Sequence, residues 1–178
     1  DGSFKRIRGH NILEKLPEVI LNRGLSRSLI NKLVLARSAE ISSWPPKDEA
    51  ALLEYVVGTS STLNIIMLEI LGEKNDLKDK ASDLGVAWGL INLIRAIPNL
   101  VRLGRSPLPI SIFSPDQNLN QYSSDLRQAI EAICKLVEEY LNKSQVTDDK
   151  VEKPLRSVFL SSTLTAHYLH NISICDYN

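Results

Sequence analysis

What is scarce in this chain of 178 residues narrows the choices first. There are only 2 cysteines, Cys134 and Cys175, too few and too ordinarily spaced for a disulfide framework or a zinc site, which fits a reducing compartment. Neither belongs to a Cys-His arrangement that suggests nucleophilic catalysis. Charge of one sign is missing too: 21 basic and 21 acidic residues cancel, so no strong field points to nucleic acid or an anionic membrane. There is no Gly-rich phosphate loop and no internal repeat. No uninterrupted apolar run reaches the roughly 20 residues that span a bilayer, which leaves a soluble chain or one peripherally associated with a membrane. The initiator methionine is also absent, as in a processed, engineered or partial chain.

What is present suits an all-α domain. Hydrophobic residues make up 43%, enough for a sizeable core, and the length asks for no second domain, so residues 1–178 read as one helical unit. Apolar residues at helical period predict helices over 12–22 (despite Pro17), 26–41 with Ser26 as N-cap, 47–71, 75–102, 124–141 and 154–172, and no strand pattern competes. Gly24 and Gly72 close two of them, and Trp44-Pro45-Pro46 forces a rigid turn. The second half of the third helix, STLNIIMLEIL, reads as a central helix packed on several sides.

The most informative segment is LGVAWGLINLIRAIPNLVRLGRSPLP, Leu84 to Pro109. Leu84, Ala87, Leu90, Ile91, Ile94, Ile97 and Val101 give it a broad apolar face, from which Arg95 emerges. Pro98 should kink or end the helix, and Gly104-Arg105-Ser106-Pro107 marks the exit into a loop.

This segment resembles the second aspartate-rich motif of the squalene/phytoene synthase family: Gly-x-Ala-x-Gln-x-x-Asn, then Leu-Arg-Asp-Val-x-Glu-Asp, then Gly-Arg-x-Tyr-Leu-Pro. Gly85, Ala87, Asn92, Ile94-Arg95, Gly104-Arg105 and Leu108-Pro109 fall on that pattern without a gap. The departures are orderly: Gly89 stands for the glutamine, Ala96 and Leu100 for the two aspartates, Asn99 for the glutamate and Pro107 for the tyrosine. In the family those aspartates hold magnesium against a prenyl diphosphate. Magnesium takes hard oxygen ligands, which alanine and leucine do not supply, and Arg95 with Arg105 carries too little charge to replace the metal. The resemblance is closest to the complex I assembly factor 6 branch, which reads Gly-x-Ala-x-Gly, then Leu-Arg-Ala-x-Pro; Gly85, Ala87, Gly89, Arg95, Ala96 and Pro98 reproduce it.

The likeness extends outward, to EYVVGTSSTLNIIMLEILG against a Tyr-x-x-x-Val-Ala-Gly helix and to the C-terminal helix. It implies an isoprenoid-synthase bundle lacking its N-terminal helices, and so the upstream aspartate-rich helix. It also implies a degenerate site at Gly89, Arg95, Ala96, Asn99, Leu100 and Arg105, and a ligand pocket with Tyr55, Asn92 and Arg95 near its mouth.

Other chemistry-bearing residues read as structural. Glu14 and Glu18 suit a solvated helix face, and Asp76, Asp79 and Asp83 suit the start of a helix, where its dipole favours acids. His167 and His170, followed by Cys175 and Asp176, lack a second ligand pair, and Cys134 has core spacing. No catalytic residue, metal site or cofactor is expected. Lys5, Arg6 and Arg8 fit an exposed basic terminus or the tail of a transit peptide.

The resemblance implies a non-catalytic protein acting in mitochondrial respiratory complex I assembly, or as a structural component of a larger mitochondrial complex. Its partners would be complex I subunits or assembly factors, with matrix or inner-membrane location. The alternatives are a prenyl-diphosphate-condensing transferase or an isoprenoid-lipid-binding protein, and a bacterial cytoplasmic location. Trp44-Pro45-Pro46, the proline-rich loop 106–115 and an uncovered apolar helix face are the candidate docking surfaces.

Overall fold

Helical periodicity becomes helix throughout the computed structural model, which describes residues 11–42, 45–73, 76–103, 105–109, 124–147 and 151–175. The elements are α1 (Asn11–Arg23), α2 (Arg27–Ser42), α3 (Glu49–Val56), a π-helical turn (Val57–Ser61), α4 (Thr62–Ile70), α5 (Lys78–Arg102), α6 (Ser124–Lys143), α7 (Lys153–Phe159) and α8 (Ser161–Ile174). No strand occurs among the described residues. The all-α expectation holds.

Helix ends follow local chemistry. Gly24 and Gly72 adopt φ of 62° and 90°, the left-handed conformation that glycine takes most cheaply, and stop α1 and α4. Asp48 caps α3 by accepting from the Ala51 N–H at 2.8 Å. Ser26 does not cap α2 with its side chain as expected; its hydroxyl and N–H both donate to the Glu69 carboxylate, tying α2 to α4.

One helix end falls where it was read and another does not. α5 runs through Pro98 to Arg102, the end expected for it, where the Leu103 and Arg105 N–H groups return to the Leu100 carbonyl at 3.0 and 2.9 Å. Pro98 is exposed and lies in the last turns, so its missing N–H removes one hydrogen bond while buried Ile97 holds the helix in place. The last predicted helix is two, α7 and α8, parted at Leu160. There Ser157 and Ser162 bond back to the Pro154 and Phe159 carbonyls and compete with the helical ladder.

α5 is the axis of the bundle, touching α3, the π turn, α4, α6, α7 and α8. From Leu84 to Ile91 it has no exposed position; Leu84, Ala87, Leu90 and Ile91 are 0% exposed. A helix buried all round is the interior element of a domain. Cys134 joins this core, as expected.

Ile20, Leu25 and Ile66 form a smaller cluster under α1 and α2, and the outer faces of those two helices stay apolar: Ile12, Leu21, Val34, Leu35 and Ile41 are exposed. The rod Glu49–Ile70, 22 residues whose most apolar 18-residue window has mean hydropathy 1.4, is long and apolar enough by length and composition to cross a membrane, although half of that window is buried in the bundle. Counting uninterrupted apolar residues missed it, because Glu54, Thr59 to Thr62, Asn64 and Glu69 break the run although the average over the window stays high.

Candidate functional site

Small side chains let three helices meet at the π turn. A Cβ added to Gly85 would stand 2.4 Å from the Ser61 Cα and 2.8 Å from the Ser60 carbonyl oxygen; one on Gly89 would meet Val56 Cγ1 at 2.6 Å and Ser60 Oγ at 2.8 Å. On the far side of the turn, a Cβ on Gly58 would come within 2.5 Å of the Ala36 Cβ of α2. The turn is therefore clamped between α5 and α2.

Its hydroxyls find partners in place. Thr59 Oγ1 donates to the Tyr55 carbonyl and Thr62 Oγ1 to the Val57 carbonyl, both at 2.8 Å; Ser61 Oγ and Ser82 Oγ share a hydrogen at 2.7 Å. Asn64 Nδ2 donates to the Ala81 carbonyl. One continuous helix was expected over 47–71. The run Gly58-Thr59-Ser60-Ser61 was the available signal, since such residues offer the backbone competing bonds.

Gly85, Gly89, Asn92, Ala96 and Leu100 succeed one another at spacings of three and four, one ridge of α5. Along it the first two are pressed against the rod, Ala96 and Leu100 are half-buried, and Asn99 and Arg95 are exposed. The Arg95 guanidinium lies over the Tyr168 ring of α8, 3.8 Å from its centroid, and donates to Asn92 Oδ1 at 2.8 Å. Asn92 in turn donates to the Trp88 carbonyl.

Tyr55 belongs to a different group. Its hydroxyl donates to Glu40, whose carboxylate also pairs with Arg37 at 2.7 Å, and the Arg37 guanidinium reaches the Tyr55 oxygen at 3.0 Å. Burial pushes the Glu40 carboxyl up, but the bonds from Tyr55 and Arg37 and the charges of Arg37 and Arg105 outweigh it and hold it below the usual carboxylate range. Burial, then the bond to Glu40, pushes the Tyr55 phenol up to about 12. The sequence reading missed Arg37 and Glu40, whose only local sign was their i, i+3 spacing.

Tyr55→Phe is expected to cost about 0.5–1.5 kcal/mol at neutral pH, one net hydrogen bond. Glu40 has a lowered folded-state value, so its contribution is present above its unfolded value and lost as pH falls through the folded one. The gap between wild type and Tyr55→Phe in urea melts should narrow on acidification through that window.

Beside Tyr55 a groove of about 700 Å³ opens between α2 and α3, with Gly58 on its wall. Tyr55 is among its lining residues; Asn92 and Arg95, the other two residues expected at a pocket mouth, are not. Of the proposed docking segments, Trp44 and residues 110–115 lie outside the described residues, and Ser106, Pro107, Leu108 and Pro109 are buried.

Glu14 and Glu18 are exposed, while Asp83 is raised by burial and then by Asp79, against the pull of Lys143 and Lys80. His167 meets Asn171 at 3.0 Å; His170 and Cys175 are exposed, and Asp176 lies outside the described residues. Among the described residues no three His, Cys, Asp or Glu side chains gather as a metal site.

Comparison with known proteins places this geometry in context. The family profile described as Squalene/phytoene synthase matches residues 3–178. A Drosophila melanogaster protein named NADH dehydrogenase (ubiquinone) complex I, assembly factor 6 homolog is 26% identical over 184 residues, taking in 97% of this chain and 54% of that protein. A Dictyostelium discoideum protein of the same name is 26% identical over 173 residues, 92% of this chain and 48% of its own length. The chain thus spans about half the length of the curated relatives it matches. The squalene synthase HpnC from Alicyclobacillus acidocaldarius has the same fold, with TM-score 0.81 and 16% identity over 93% of this chain and 66% of that one.

Proposed function

The chain belongs to the squalene/phytoene synthase family, and on that premise we propose that it is a non-catalytic member that works by binding proteins during assembly of mitochondrial respiratory complex I. The observation that carries this reading is the ridge of α5. The resemblance sets Ala96 and Leu100 where the family pattern has its metal-binding aspartates. Two apolar side chains cannot hold magnesium against a diphosphate, and the loss removes the electrostatic stabilisation of the leaving group on which such chemistry depends.

The rest of the motif supports the same reading. Position 89, a glutamine in the synthase pattern, has no room for one while Val56 and Ser60 stand where they do. Arg95, whose charge would serve an anion, is stacked on Tyr168 and bonded to Asn92. The names of the two curated relatives support the process; a mitochondrial location, in the matrix or associated with the inner membrane, and partners among complex I subunits or assembly factors go with this reading. The apolar side chains that α1 and α2 leave in water, Ile12, Leu21, Val34 and Ile41 among them, offer the contact surface.

Affinity capture of the tagged full-length protein from mitochondria, followed by mass spectrometry, tests the partner. Enrichment of at least one complex I subunit or assembly factor over an untagged control is expected. Capture of none overturns this reading.

A further inference from the structure

The first two helices stand apart from the rest of the bundle. Among the described residues, every buried member of the main core comes from Leu52 onward, so that core closes without α1 or α2. Ile20 is the one buried side chain of α1 among the described residues, and with Leu25 and Ile66 it makes a separate, small cluster. α2 packs mainly on α3, the π turn and α4, the three pieces of the rod. Pro45 and Pro46, which cannot continue a helix, part α2 from α3 and leave a non-helical joint between them.

Polar ties hold α2 to the rod at both ends. At its start the Ser26 N–H, at 2.8 Å, and the Ser26 hydroxyl both donate to the Glu69 carboxylate of α4. Toward its end the Tyr55 hydroxyl of α3 donates to Glu40 and accepts from Arg37. Between the ties, Ala36 stands against Gly58.

We propose that α2, carrying α1 with it, is a lid on the rod that opens about the Pro45-Pro46 joint while α3 to α8 stay folded, with the Ser26–Glu69 pair as its latch. Opening gives up the small cluster and a few hydrogen bonds and leaves the main core intact, so it requires less free energy than unfolding the chain. It bares Ile66 and Gly58 on the rod, an apolar face that the closed lid keeps from partners. The device goes beyond the partner reading and does not depend on it.

Hydrogen exchange of the full chain, under conditions where the rate follows the opening equilibrium, tests it. Relative to their intrinsic rates, the amides of α2 should exchange faster than those of Leu84 to Ile91 in α5 by roughly a hundredfold or more. Their rates should also depend less steeply on urea, because lid opening exposes less surface than global unfolding. Glu69→Ala weakens the closed state, from which both lid opening and global unfolding start, and should speed both sets of amides by roughly tenfold. Ile133→Val trims a buried side chain of α6 that stays packed when the lid is open, and should speed the α5 amides by roughly twofold to tenfold while leaving those of α2 unchanged. The proposal is overturned if α2 and α5 amides exchange alike with the same urea dependence, if Ile133→Val speeds both sets equally, or if Glu69→Ala leaves the α2 amides unmoved.

Discussion

Gly85→Ala is expected to destabilise the protein by about 2–4 kcal/mol, a large share of the roughly 5–15 kcal/mol that holds a typical domain together. An alanine inside a helix would ordinarily gain about 1 kcal/mol over glycine. Here the added methyl would stand 2.4 Å from the Ser61 Cα and 2.8 Å from Ser60 and Ser61 backbone atoms. Backbone has no rotamer by which to retreat, so α5 and the rod must separate along the most buried part of the core. Gly89→Ala should cost less, about 1 kcal/mol, because two of its three close contacts belong to Ser60, whose hydroxyl can turn away. Gly24→Ala meets nothing within 4 Å and pays only for its left-handed φ of 62°, about 1–2 kcal/mol. Urea melts of the three variants check that order. A neutral Gly85→Ala would mean that α5 does not approach the π turn this closely.

Leu90→Ala is the other large effect, with an expected loss of about 2–5 kcal/mol from lost transfer energy and the cavity left behind. Leu90 is 0% exposed at the centre of α5, where helices on several sides leave little freedom to collapse inward. Leu103→Ala is the matched control. At 67% exposure just beyond the same helix, it should change stability by no more than about 0.5 kcal/mol. Denaturant midpoints decide between them, and the same ranking should appear in the steady-state abundance of the variants in cells.

The apolar periodicity of α5 and α6 was legible because each buries a coherent stripe, so the core residues Leu84, Ala87, Leu90, Ile91, Ile130 and Val137 could be named from spacing. What the sequence hid is long-range. Ser26 looked like a local cap, yet its hydroxyl is claimed by Glu69, 43 positions away. The π turn is written only as hydroxyl residues in an apolar helix, and the Arg37–Glu40–Tyr55 group joins residues 15 and 18 positions apart, beyond any local pattern. Ser106 to Pro109 reads as a surface loop from its prolines and is nonetheless packed inward. The candidate site was read as positions on a motif. The structure adds that its glycines are the contact faces of a clamped helix crossing, and that Tyr55 faces a groove which Asn92 and Arg95 do not line.

The proposed replacement of two metal-binding aspartates by Ala96 and Leu100 has a chemical consequence that can be measured directly. The full-length protein, incubated with farnesyl or geranylgeranyl diphosphate and magnesium, should release no diphosphate above the rate without protein. Sustained, magnesium-dependent release that disappears with chelation would contradict the non-catalytic account.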